Sequence, residues 1–173
     1  MCILSNDTEI KDKVREDVYD EELLNRLLDE NDIDQFRDEF LSMHNYEQSE
    51  YFEDTDENNR QKIFEFLSPK EVANFFDQLD IDDEDYEELF DKINANYASH
   101  VLEEMSYDNS VDILNKLSKP KVASLLTLMD KDEANEIKAL LHYEEDTAGG
   151  IMTTEYISLK TTTPVKEALM HVL

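Results

Sequence analysis

The chain has 173 residues, with 44 Asp and Glu against 16 Lys and Arg, a formal charge of −28. That balance repels phosphate backbones and anionic headgroups, so neither nucleic acid binding nor direct membrane insertion is expected. The two glycines, Gly149 and Gly150, are adjacent, which excludes glycine-spaced nucleotide loops, and the single cysteine, Cys2, excludes an internal disulfide and a Cys-based zinc site.

No stretch of 18 apolar residues exists, and the first residues lack a signal-peptide core. Apolar residues make up 40% of the chain, with eight Phe and eight Tyr, enough to build a core. Charge divides the chain in three: residues 1–60 carry 20 acids and 6 bases, residues 61–146 carry 22 and 8, and residues 147–173 carry two of each. The break at 147 coincides with the glycine pair.

Residues 1–19 read as a charged flexible tail. Asp20 to Leu41 predicts two helices, one with Leu23, Leu24, Leu27 and Leu28, the other with Ile33, Phe36, Phe40 and Leu41. From Met43 to Leu141 a repeat of about twelve residues takes over. Its anchors are Met43, Thr55, Leu67, Leu79, Ile93, Met105, Leu117, Met129 and Leu141, with one spacing of fourteen between Leu79 and Ile93. Apolar pairs follow at offsets of eight and nine, as in Phe75–Phe76, Val101–Leu102, Ile113–Leu114 and Leu125–Leu126. Small or β-branched residues sit at offset five: Val72, Ala98, Val122 and Ala134.

These offsets put one apolar stripe on one short helix per unit. Ser68-Pro69-Lys70-Glu71 has an N-cap serine, a first-turn proline and a capping-box glutamate. Asp130-Lys131-Asp132-Glu133 repeats the box, and Ser106 and Ser118 are further caps. Helices this short are marginal alone and must bury their stripes on neighbours. The expected fold is all-α, a superhelical solenoid over residues 20–146. Residues 147–155 read as a linker. Tyr156–Leu159 reads as a short strand and Thr163–Leu169 as a helix opening, so 156–173 looks like the start of another domain cut short at Leu173.

The stretch Tyr143-Glu-Glu-Asp146-Thr-Ala-Gly-Gly-Ile-Met152-Thr-Thr-Glu-Tyr156 closely resembles the junction between the N-terminal helical domain and the first CBS domain of MgtE-type magnesium transporters. Glu144 stands where that family usually has Pro. The helical repeat is similar to the family's superhelical domain, and 156–173 to the first strand and helix of a CBS domain. The resemblance covers Asp20 to Leu173 and is strongest from Ser68 onward.

The resemblance implies a regulatory domain on the cytoplasmic side of the plasma membrane, with no enzymatic activity. It senses Mg²⁺ through acidic surfaces and gates a pore. Its partners would be the CBS domains and the transmembrane pore of the same full-length protein, expected as a homodimer. Asp108 and Asp112 match the family's Met-x-x-Asp-x-x-x-Asp metal-binding pattern, which starts here at Met105. Asn74 falls where the family often has an acid, so Glu71 and Asp77 are nearby substitutes as metal ligands.

The residues themselves bear on the same site. Acids at i and i+4 share a helix face and repel, and a hard divalent cation relieves that repulsion. Against this, a first-turn Asp108 suits the helix dipole without metal, and Asp112 could pair with Lys116. Asp80–Asp91 alternates oxygens like an EF-hand loop, but has Asp85 where glycine is needed and Asp91 in place of the closing Glu, so it reads as a solvated acidic turn. His44, His100, His142 and His171 are too far apart for a zinc hydrolase pattern. The rival reading is a helical-repeat interaction scaffold, since the flagellar motor switch protein has a similar string of short helices. The junction segment is what that reading leaves unexplained.

Overall fold

The computed structural model describes residues 19–79, 81, 83–141, 159 and 163–172. The expected tail except Tyr19, the linker 147–155 and residues 156–158 of the expected strand lie outside the described residues. Among the described residues all regular structure is helical. The elements are α1 (Glu21–Glu30), α2 (Ile33–Ser42), α3 (Asn45–Asp54), α4 (Glu57–Phe66), α5 (Pro69–Phe76), α6 (Asp83–Lys92), α7 (Ala95–Glu104), α8 (Tyr107–Lys116), α9 (Lys119–Leu128), α10 (Lys131–Leu140) and α11 (Val165–Val172). α11 falls on the expected helix opening. The acidic stretch expected as a turn is helical from Asp83 onward.

The twelve-residue period has a simple local cause. A ten-residue helix ends on an extended residue, an N-cap residue follows, and the next helix begins. The extended C-caps Met43, Thr55, Leu67, Met105, Leu117 and Met129 are six of the nine repeat anchors. Leu67, Met105, Leu117 and Met129 bury their side chains there. An extended exit needs no positive φ, so the repeats do without glycine. Asn31, with φ 54°, is the one described non-glycine residue in the left-handed region, where Asn is tolerated. Its N–H bonds back to Leu27 and Leu28.

N-caps start the helices. The N–H of Leu23 donates to Asp20 at 2.9 Å, Asn59 to Asp56 at 3.0 Å, and Asp132 to Asp130 at 2.8 Å. Glu71 reaches back to the Ser68 N–H at 2.8 Å, as expected of the capping box. Three expectations differ in detail. Ser106 and Ser118 occupy N-cap positions but make no side-chain cap bond to their own helices. Glu133 does not close a box on Asp130, whose N–H is taken by Glu103; its carboxylate accepts from the Tyr107 hydroxyl. Ile33 and Leu41 stay largely exposed on α2, where only Phe36 and Phe40 are buried.

Two compact units divide between residues 80 and 81. In the first, α1 packs on α2 and α4, and α3 on α5. Its core is aromatic. Phe40 lies edge-on to Tyr51 and Phe75, and Phe52 contacts Phe64, Phe75 and Phe76, with centroids 5.4–6.0 Å apart. Burying each such ring contributes roughly 1.5–3 kcal/mol. In the second unit α6 and α10 pack on α8, and α7 on α8 and α9. There the core is mainly aliphatic, with Val101, Leu102, Ile113, Leu114, Leu125 and Ile137 buried.

The units repeat each other in detail. Residues α2–α5 recur as α6–α9 fifty positions later, with Met43 matched by Ile93. The Ser49 hydroxyl donates to the Tyr46 carbonyl, and Ser99 to Asn96, both at 2.9 Å. Arg60 donates to the Phe52 carbonyl, and Ser110 to the matching Leu102 carbonyl.

A polar latch recurs with its charges exchanged. In the first unit Arg37 on α2 grips Glu71 on α5 through two hydrogen bonds, at 2.8 and 2.5 Å, and Glu71 holds the Ser68 N–H. In the second unit the acid is on α6 and the cation on α9. Glu87 takes the N–H and hydroxyl of Ser118, both at 2.8 Å, and Lys121 bonds Asp91 at 2.5 Å and the Glu87 carbonyl at 3.0 Å. Arg37→Glu should therefore destabilise the chain by about 1–2 kcal/mol, since it sets two carboxylates together. Arg37→Glu combined with Glu71→Lys should recover most of that loss by adopting the second unit's polarity. Thermal unfolding of the three proteins checks this, and no recovery in the double variant would contradict it.

Candidate metal site

α8 carries the candidate acids. Ser110, Val111, Ile113 and Leu114 bury one face of it. Asp108 stands in its first turn, half-buried, and Asp112 one turn further on, exposed. The Oδ1 atom of Asp108 is buried and accepts no hydrogen bond; it is the one such side-chain atom among the described residues. Leaving a buried acceptor unpaired is destabilising by about 1–3 kcal/mol, and more for a charged group. The helix dipole returns roughly 0.3–1 kcal/mol of this. A cation at Asp108 would supply the missing partner.

Lys116, one further turn along, holds its ammonium over the Tyr86 ring, 4.4 Å from the centroid. Among the described residues, no three His, Cys, Asp or Glu side chains converge tightly enough to hold an ion alone. A pair of carboxylates would suit only a cation that keeps several waters. Mg²⁺ does so, because it binds oxygen and dehydrates reluctantly.

Glu71 and Asp77 belong to the other unit. Both Glu71 carboxylate oxygens are already engaged, by Arg37 and Ser68. Burial pushes the Glu71 carboxyl up, but hydrogen bonds from Arg37 and from the N–H and hydroxyl of Ser68 outweigh it and hold it below the usual glutamate range. The same bond raises Arg37. Asp77 is the half-buried C-cap of α5, with its N–H bonded to Ala73 and Phe75. Asn74 is exposed on the same helix. His44 caps α3, and His100 lies 4.0 Å from Glu103, both exposed.

Sequence reasoning missed the carboxylates that serve a neighbouring helix. Glu87 bonds the start of α9, and Glu103 on α7 takes the Asp130 N–H at the start of α10, at 2.5 Å. One signal was present for the first: Lys121 occupies the capping-box position after Ser118, so that N–H needs a carboxylate from elsewhere.

Among the described residues, short helices joined by two-residue links define an all-α helical-repeat class. Residues 43–146 match the MgtE intracellular N domain, and the chain belongs to that family. The magnesium transporter MgtE of Enterococcus faecalis is 43% identical over 151 residues, which are 87% of this chain and 33% of that protein. The chain thus spans a third of the length of this curated relative. A crystal structure of the soluble part of a magnesium transporter superposes with a TM-score of 0.84 at 41% identity, covering 88% of this chain and 59% of that one. The cytosolic domain of the Mg²⁺ channel MgtE in complex with ATP gives 0.73 at 26% identity, covering 86% and 60%.

The Glu71 carboxyl has a consequence for acid stability. Its folded-state pKa is lowered, so the bond stabilises fully above the unfolded value of about 4.3 and is lost as pH falls through the lowered value. Glu71→Gln should therefore flatten the fall in melting temperature between pH 5 and pH 3, and lower the melting temperature at pH 7. An unchanged acid limb would show that other carboxylates govern it.

Proposed function

We propose that this chain is the Mg²⁺-sensing cytosolic part of a magnesium transporter or channel, on the cytoplasmic side of the plasma membrane. Residues 20–146 form its helical domain, stacked as a superhelix, 147–155 a linker, and 156–173 the start of a CBS domain. The CBS domains and the pore of the same full-length protein, as a homodimer, are its partners. The observation that carries the reading is the buried Asp108 Oδ1 without a partner, one turn from Asp112. The family and the names of its relatives supply the ion.

Asp108 and Asp112 contribute carboxylates to a hydrated Mg²⁺, and a facing acidic surface completes the shell. Glu71 and Asp77 are secondary ligands on this reading, with Glu71 available only by giving up Arg37. When Mg²⁺ binds, it cancels repulsion between like-charged surfaces and holds the regulatory domains together. When Mg²⁺ is scarce, a charge of −28 drives them apart and the pore is released.

The test is thermal unfolding with and without Mg²⁺, at ionic strength held constant with NaCl. Mg²⁺ at about 100 times its Kd should stabilise the wild type by about 2.7 kcal/mol. Asp108→Asn with Asp112→Asn should abolish most of that gain. Asp34→Asn with Asp38→Asn, an exposed pair of the same spacing on α2, should not. Equal losses from the two pairs would reduce the effect to screening.

The orphaned oxygen gives a second expectation. In EDTA, Asp108→Asn should melt at or above the wild type, because it discharges a carboxylate with one buried, unpaired oxygen. In saturating Mg²⁺ it should melt below it. A variant less stable under both conditions would assign Asp108 a purely structural role.

A further inference from the structure

We propose that Tyr107 is the positioning residue of the Asp108 site, acting through its hydrogen bond to Glu133; this rests on the sensing reading above. Tyr107 opens α8 and immediately precedes Asp108. The N-cap, Ser106, makes no side-chain bond to the first turn, so that turn lacks the cap that usually secures a helix start. The Tyr107 hydroxyl donates to Glu133 Oε2 on α10 at 2.6 Å, in a partly buried position.

Glu133 is available for this bond because of an exchange of caps. It occupies the position from which a capping box would reach the Asp130 N–H. That N–H is taken by Glu103 of α7. The start of α10 is thus satisfied from α7, and the displaced Glu133 holds the start of α8.

The consequence falls on Asp108. Its Oδ1 lacks a partner, and water would satisfy it if the first turn opened. An opened turn is a solvated, relaxed competitor to the cation-bound state. Pinning Tyr107 to α10 removes that competitor and keeps the carboxylate ready for an ion, so the bond acts on affinity by preorganisation. Tyr107 does not touch the ion; it fixes the backbone that carries the ligand. Phe at this position preserves the ring and every local charge, so loss of the hydroxyl is separable from loss of packing or potential.

The experiment is a double-mutant cycle on Mg²⁺ affinity, read by amide chemical shifts at constant ionic strength, with melting temperatures in EDTA recorded beside it. In the wild type, saturable shifts should cluster at residues 106–112. Tyr107→Phe should weaken Kd on the order of tenfold, as outer-shell substitutions do. Because Glu133→Ala also removes a charge, the cycle isolates the bond: adding Tyr107→Phe to Glu133→Ala should change Kd by less than about twofold. A Tyr107→Phe protein with wild-type Kd and a lower melting temperature overturns the positioning role and leaves the sensing reading intact. Independent, multiplying effects of the two substitutions overturn it as well. A wild type without saturable shifts overturns both readings.

Discussion

Carboxylates at helix N-termini are what this fold depends on. With 44 acids in 173 residues, repulsion opposes any compact arrangement unless the acids find positive potential. Sixteen basic residues cannot supply it, whereas every helix start offers free N–H groups and the positive end of a dipole. Asp20, Asp32, Asp56 and Asp130 cap their own helices, and Glu21, Asp34, Glu47, Glu57, Glu71 and Asp132 stand in first turns. Cutting a chain into ten-residue helices multiplies such places. Short helices, a weakness for local stability, are thus an advantage for an acidic sequence.

Two sets of contacts then hold the short helices in register. Packing joins helices to second neighbours within each unit, α3 to α5 in the first and α6 to α8, α7 to α9 and α8 to α10 in the second. Polar links reach the third neighbour. Arg37 joins α2 to α5, Lys62 on α4 bonds the Leu28 carbonyl at the end of α1, Glu87 joins α6 to α9, and Glu103 joins α7 to the start of α10. The links tolerate reversed charge because the geometry asks only for a carboxylate near a serine N–H and a cation beside it. Which helix supplies which is free to change, as the Arg37–Glu71 and Glu87–Lys121 latches demonstrate.

The sequence made the helix boundaries legible because one residue type recurs for one reason. At Leu67, Met105, Leu117 and Met129 the apolar anchor is the extended residue that ends a helix and is buried, so periodicity and chain geometry coincide there. The fifty-residue recurrence was less visible, since Phe52, Phe64 and Phe75 are replaced by Leu102, Leu114 and Leu125. All six are buried, so hydrophobicity recurs while aromatic identity is lost. Links between helices were illegible for a different reason. Nothing in Asp130-Lys-Asp-Glu133 says that Glu133 will serve Tyr107, because the choice is made by a helix 26 residues away. At the site, sequence supplied Asp108 and Asp112 as a pair on one face; only the structure distinguishes them, one half-buried with an orphaned oxygen, the other exposed.

That distinction separates Asp108 from the other acids in physical kind. Asp20 and Asp56 lower the free energy of the chain by accepting an N–H at a helix start, and a cation there would have to compete with the cap. Asp108 sits at a helix start, yet one of its oxygens is withdrawn from water without such a bond. A penalty of about 1–3 kcal/mol held in the ion-free state corresponds to roughly fivefold to 150-fold in the affinity of a ligand that relieves it. On the sensing reading, a chain crowded with carboxylates needs some such inequality. Mg²⁺ attracted equally by every acid would only screen the surface, whereas an ion that gains most at one unsatisfied oxygen reports its concentration from one place.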